Sequence, residues 1–410
     1  MACREDARRG EKFAASFPQA ATHDGEELFC YTRLPMIAGF ATAQGTARFR
    51  DRFPALAHAG HFRQAERVPE VRDFWLSSIG LGTYLGETTA EADAAYAESI
   101  VAAVNSGVNV LDTAINYRNQ RSERNIGAAI KQLVESGSVE RDELLVCTKA
   151  GFLAFDGETP GDPQSYFISE YINKGVMRPG EIAGGMHCMA ATYLENQIER
   201  SRKNLGLETI DVFYLHNPET QLSSGVSLAE FRVRLRAAFE ALENSVRAGK
   251  IRFYGCATWN AFRVPPGQRD YMSLEETLAV AREVGGEQHH CRFIQLPFNL
   301  AMAEAFTEQN QSWQGEKLSL LEAAARAGLA VVGSASLYQA RLMKDLPSFV
   351  AEKLGTGTHV ESAIQFARSA PGLAVALIGM GRKAHVAENL AAAKKPITPA
   401  GKWLELFQKA

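Results

Sequence analysis

The chain has 410 residues, 46% of them apolar and 22% charged, with a net charge of -3. That balance describes a soluble globular protein with ample chain for a large core, and it leaves no basic excess for nucleic acid. No run of about 18 apolar residues occurs, so no membrane span is expected.

Residues 1 to about 75 mix Phe, Arg, His, Ala and Gly without a sustained helical or alternating period. They read as an N-terminal extension, partly ordered against the main body. From Ser78 the pattern changes. IGLGTYL reads as a strand and turn, TTAEADAAYAESIVAAVNSG as a helix capped by Thr88 or Thr89 and closed at Gly107, and VNVLD as the next strand. The alternation then repeats. A helix SERNIGAAIKQLVESG, capped by Ser122, leads to a strand over 144–149, and TYLENQIERSRKNLG leads to one over 209–216. AEFRVRLRAAFEALENSVRAG precedes 250–257, and SLEETLAVAREVG precedes 291–297. SLLEAAARAG and HVESAIQFARS precede 329–335 and 373–379, and KAHVAENLAAA closes the series.

Eight strands, each followed by a helix, predict an α/β fold: a (β/α)8 TIM-type barrel over residues 76–410. One connection is too long for such a unit. Residues 151–190, rich in Gly, Pro and aromatics, leave the carboxyl end of the third strand, where they form either a lid or pocket wall, or a packed surface excursion.

Barrel geometry brings strand carboxyl ends together at one mouth. Asp112 ends the second strand with Tyr117 five residues on, Lys149 ends the third, and His216 ends the fourth. A lone Lys or His at a strand end is usually just solvated; four such groups from three strands make a chemistry. A tyrosine, which ionises near about pH 10, becomes a usable acid if a buried ammonium stabilises its phenolate, and an aspartate keeps that ammonium charged. A neutral histidine could orient a carbonyl oxygen.

In the contexts LDTAINY, SERNIG, CTKAG and YLHNP, the stretch from about Ser78 to Ala393 resembles the aldo-keto reductases. The resemblance implies a barrel without a separate nucleotide domain, an NADP(H) cofactor across the mouth, and reduction of an aldehyde or ketone. Tyr117 would give the proton, Lys149 and Asp112 would tune it, and His216 would position the carbonyl. The implied cofactor contacts are Gly82, Thr83, Tyr84, Asp112, Thr258, Gln295, Ser334, Leu337 and Gly379, with Arg382 or Lys383 on the 2'-phosphate and Glu388 and Asn389 toward the adenine. The family's Ser-Asn pair is replaced here by Ala257 and Thr258, and an aromatic residue it often places on the nicotinamide by Ser334, with Tyr338 a distant substitute. Tyr84, Phe152, Phe155 and Trp259 are candidate walls of the substrate pocket.

Two patterns invite other readings. Gly80, Gly82 and Gly86 imitate a dinucleotide fingerprint with one residue too many, and read instead as a tight turn at the mouth. His187 with Cys188, and His289 with His290, lack a third ligand, so no metal is expected. The six cysteines (Cys3, Cys30, Cys147, Cys188, Cys256, Cys291) show no metal or disulfide spacing, and the charged start MACREDARRGEKFAASF does not resemble a secretion signal. A cytoplasmic protein with a small-molecule carbonyl substrate is expected, its oligomeric state open. A barrel that binds NADPH as a regulatory or scaffolding subunit, or one that catalyses a redox-neutral step, are the alternatives.

Overall fold

The computed structural model describes residues 36–338 and 346–408. Eight parallel strands close into a barrel: β1 (Ile79–Gly82), β2 (Val110–Asp112), β3 (Leu145–Ala150), β4 (Ile210–His216), β5 (Ile251–Ala257), β6 (Cys291–Pro297), β7 (Ala330–Ser334) and β8 (Leu373–Gly379). Helices α1 (Ala90–Asn105), α2 (Arg121–Glu135), α3 (Ala191–Leu205), α4 (Leu228–Arg247), α5 (Leu274–Gly285), α6 (Leu320–Ala327), α7 (His359–Ser369) and α8 (Lys383–Ala391) follow the strands in turn. The expected (β/α)8 architecture is therefore present.

The strands are buried along their length because alternate residues face two different cores. Val110, Leu145, Cys147, Val212, Tyr214, Phe253, Phe293, Val332 and Val375 fill the barrel interior. Their neighbours Val146, Phe213 and Ile294 face outward and pack in the larger core with the helices.

Local signals set most boundaries. Thr89, not Thr88, caps α1, its hydroxyl accepting from the Ala92 amide at 3.2 Å. The expected cap at Ser122 is not found. Arg118, Asn119 and Gln120 run in succession through left-handed backbone (φ 48°, 54° and 70°), and α2 starts directly after them. Ser122 instead donates to the carbonyl of Thr83 at 2.9 Å. The glycine trio also differs from expectation: Gly80 and Gly82 lie inside β1, and only Gly86, at φ 123°, makes a turn. Gly80 is small for packing, since a Cβ there would stand 2.8 Å from Leu377 and 3.0 Å from Val375.

The segment before β1 closes the barrel's amino end. Residues Ala43–Asp51 are helical, contrary to the aperiodic reading; Thr42 caps them, and only Gly45, Thr46 and Phe49 are buried, too few to show a period. An antiparallel hairpin pairs Phe62–Arg63 with Leu76–Ser77. Between those strands, Val68, Val71 and Phe74 join the interior cluster from below. The extension is pinned by Asp211 of β4, whose two oxygens accept from the Ala41 amide at 2.6 Å, the Val146 amide at 2.9 Å and Arg141 Nη2 at 2.7 Å. Residues 1–35 of the expected extension lie outside the described residues.

Removing one member of a buried ion pair leaves the other charge uncompensated. Asp211→Ala should therefore lower unfolding stability by about 3–5 kcal/mol in urea titrations; a loss below about 1 kcal/mol would show that Asp211 is not the pin.

Candidate active site

Asp112 closes β2 level with Gly82 of β1 and Cys147 of β3. Lys149 stands two residues beyond Cys147, so the period of two turns it onto the same inner face, above the apolar filling. Its Nζ donates to Asp112 Oδ1 at 2.5 Å and to the Thr113 carbonyl at 2.6 Å. The other oxygen of Asp112 accepts the Gln295 amide at 2.7 Å. The ammonium lies 5.0 Å from the centre of the Tyr117 ring. The His216 ring stands edge-on to Tyr117, with centres 5.7 Å apart. The structure thus brings all four candidate residues together.

Their protonation follows from burial and from one another. Burial alone would strip Lys149 of its proton, but Asp112 and Tyr117 more than offset it, and the ammonium is held charged. Burial pushes the Tyr117 phenol up, against the pull of Lys149, so it keeps its proton. His216 is driven well below the usual histidine range by burial and then by the Lys149 charge, so it is neutral. Its Nδ1 is buried with no partner among the described residues. A buried bare N–H is costlier than a buried lone pair, so the single proton belongs on Nε2.

Around this group the other candidates divide. Tyr84 is 57% exposed and stands edge-on to Tyr117, with ring centres 5.0 Å apart. Phe152 packs edge-on to His216 at 5.2 Å, and Trp259, 37% exposed, follows the end of β5. Phe155 stacks on Phe167 at 4.8 Å within its own loop, in an aromatic cluster with Tyr166, Tyr171 and, from α3, Tyr193. Residues 151–190 are therefore largely a packed excursion that sends Phe152 to the mouth.

Of the residues expected at a cofactor, Gly82 and Gly379 pair at the ends of β1 and β8. Thr83 is buried, donating to the Asp112 carbonyl at 3.2 Å. Thr258 turns back on the Gln295 carbonyl, and Gln295 itself is engaged by Asp112. Ser334 is half-buried at the end of β7, and Leu337 packs against the main core. Tyr338 adopts left-handed backbone, and residues 339–345 after it lie outside the described residues. Arg382, Lys383 and Glu388 are exposed around α8, whereas Asn389 is buried beside Val386 and Leu390.

The pairs considered for metal have other partners. His187 uses both ring nitrogens, on the His216 carbonyl and on Gln221. His290 bonds Glu243, and His289 contacts Arg292. Among the described residues, no group of three or more potential ligands forms, and no helix is long and apolar enough to cross a membrane. A groove of about 560 Å³ opens at the barrel's other end, lined by Arg63, Val68, Leu321 and Leu373, remote from Tyr117.

Residues 78–265 match the model of the aldo/keto reductase family. Over this stretch, somewhat under half of its length, the chain is similar to the aldo/keto reductases. Aldose reductase B of Dictyostelium discoideum is 23% identical over 195 residues, 44% of this chain and 50% of that protein. Rho crystallin of Rana temporaria is 25% identical over 190 residues, covering 44% of this chain and 47% of the crystallin. The chain thus spans about half the length of these curated relatives. Among solved structures, a holo aldo-keto reductase from Bacillus halodurans superposes with a TM-score of 0.57 at 17% identity, over 85% of this chain and 96% of that one. One from Klebsiella pneumoniae, in complex with NADP and acetate, gives 0.53 at 20% identity over 82% and 93%. These likenesses show a shared (β/α)8 barrel fold across most of the chain.

One buried acid beside these four residues was missed in sequence. Glu219, three residues after His216, accepts the amides of Trp259 at 2.6 Å and Asn260 at 3.1 Å on one oxygen. Its other oxygen is buried without a partner among the described residues. The motif YLHNPET gave no sign that this glutamate is turned inward. Burial, only partly offset by those amides, raises its pKa to about 7.

A raised folded-state value means stability that is full below the unfolded value, near 4.5, and lost as pH rises through about 7. Glu219→Gln removes that dependence. Its stability relative to the parent should improve by roughly 2–3 kcal/mol between pH 5 and pH 8. Thermal melts across that range test this; a difference that stays constant would refute it.

Proposed function

We propose that this protein reduces an aldehyde or ketone to an alcohol using NADPH, with Tyr117 as the proton donor. The observation that carries the reading is the buried ammonium of Lys149, fixed by Asp112 at 2.5 Å and placed 5.0 Å from the Tyr117 ring centre. NADPH, when bound, supplies the hydride that goes to the carbonyl carbon. Tyr117 transfers its phenolic proton to the carbonyl oxygen, and Lys149 stabilises the phenolate left behind. His216, neutral with its proton on Nε2, donates to that oxygen and aligns it. One hydride and one proton account for both added hydrogens.

Arg382 and Lys383 stand exposed at the amino end of α8, with no ion-pair partner among the described residues. Two free cations at a helix N-terminus suit the 2'-phosphate of NADPH. The NADP complex of the Klebsiella protein supports the same cofactor for this fold. Gly82 and Gly379 leave room beside it, and Tyr84, Phe152 and Trp259 form an apolar rim for the substrate. We take residues 76–410 as the catalytic barrel and 1–75 as its extension. The four buried free thiols Cys147, Cys188, Cys256 and Cys291 support a reducing, cytoplasmic setting.

Tyr117→Phe keeps the ring and removes the proton, so kcat for carbonyl reduction should fall by about 10²-fold or more while NADPH binding persists. Undiminished turnover would sink the assignment. NADPH binding by the parent chain without turnover across a broad carbonyl panel would instead favour a regulatory barrel. Replacing Arg382 and Lys383 together by Ala should weaken NADPH over NADH by more than about tenfold in fluorescence titrations; equal weakening of both would refute the phosphate contact.

A further inference from the structure

Residues 151–190 touch the site's framework at two places. Near their start, the Gly157 amide donates to the Asn119 carbonyl at 2.8 Å, Gln120 Nε2 donates to the Phe155 carbonyl at 2.9 Å, and Arg121 Nε donates to the Gly157 carbonyl at 2.8 Å. These bonds hold the left-handed run that immediately follows Tyr117. Near their end, His187 reaches the backbone of His216.

The His187 contact has a single self-consistent arrangement. Its Nε2 stands 2.7 Å from the carbonyl oxygen of His216, which can only accept, so the ring proton is on Nε2. Its Nδ1 is then an acceptor, and takes a bond from Gln221 Nε2 at 2.8 Å. The orientation of that amide is fixed in turn by Arg234 Nη1, which donates to Gln221 Oε1 at 2.8 Å. Burial favours the neutral ring this requires, lowering its pKa to about 4. Space is left for the bond by Gly151: a Cβ there would lie 2.4 Å from the His216 carbonyl oxygen and 2.7 Å from His187 Nε2. Phe152 packs edge-on to both imidazoles, at 5.3 Å and 5.2 Å. The residue after His216, Asn217, is left-handed at φ 46°, so the chain turns sharply just where His187 holds it.

We propose that residues 151–190 form a positioning frame for the acid site, and that His187 is a positioning residue which sets His216 through its carbonyl. This rests on the carbonyl-reductase reading above. His187 touches neither substrate nor cofactor; it fixes the backbone from which the His216 ring projects toward Tyr117. Displacement of a reacting group's partner by about 1 Å is enough to cost catalysis heavily.

The test is His187→Phe in the full chain, compared with the parent on a carbonyl substrate the parent turns over. We expect kcat to fall by about tenfold to a hundredfold, with KM and NADPH affinity within about twofold. In ¹⁵N-histidine spectra the His216 signals should move. Gln221→Leu, which leaves the bond to His216 in place, should lower kcat by less than about threefold. Unchanged kcat in folded His187→Phe, or kcat and NADPH affinity falling in parallel, would overturn the proposal. Should Phe prevent folding, His187→Asn, which shortens the donor's reach, gives the same comparison. If the parent itself reduces no carbonyl, the activity reading fails separately, and unmoved His216 signals would still decide against the frame.

Discussion

A lysine ammonium inside a dry barrel has to meet a counter-charge at short range, and much of this protein's active end is arranged around that requirement. Lys149 meets Asp112 at 2.5 Å, and Asp112 is in turn held by Gln295 from β6. Three strands are thereby tied by side chains as well as by the sheet. Replacing such a pair by apolar groups is often neutral or favourable for stability, so its presence is weak evidence for a stabilising role. It fits chemistry better: a charge kept at a fixed distance from Tyr117, in surroundings too dry to screen it.

The second organising element is the exit from β4. Within six residues, His216 supplies the imidazole, Asn217 turns the chain, Glu219 binds the amides of the β5 loop, and Gln221 binds His187. The loops after β3 and β5 are thus joined to the strand that carries His216. Apart from the side-chain pair of Gln221 and His187, these bonds use a backbone group at one end, so they fix chain paths more than side-chain positions.

The eight-fold alternation was legible because parallel barrel strands are short and apolar and the helices between them carry caps such as Thr89. Asp112, Lys149 and His216 were legible for a related reason: each is a polar residue met where an apolar strand runs out, and Tyr117 follows Asp112 by five residues. What was not legible depended on contacts distant in sequence. Ser122 resembled a helix cap until Thr83 took its hydroxyl, and nothing local marked Gln120 as left-handed. The helix at Ala43–Asp51 buries too few side chains to show a period, and Asp211, the pin for that segment, lies some 170 positions away. Glu219 and His187 were ordinary loop residues in the sequence; only the fold turns them inward.

Loops that follow barrel strands are usually where length varies freely between relatives, because their ends are fixed and their middles are solvated. Residues 151–190 lack that freedom. Their early part is stitched to the turn after Tyr117, their late part to the end of β4, and the aromatic cluster of Phe155, Phe167 and Tyr171 sets the span between the two attachments. Trimming or grafting this segment would change a measured interval between two strands. A redesign of the mouth would therefore have to keep both attachments and the distance between them.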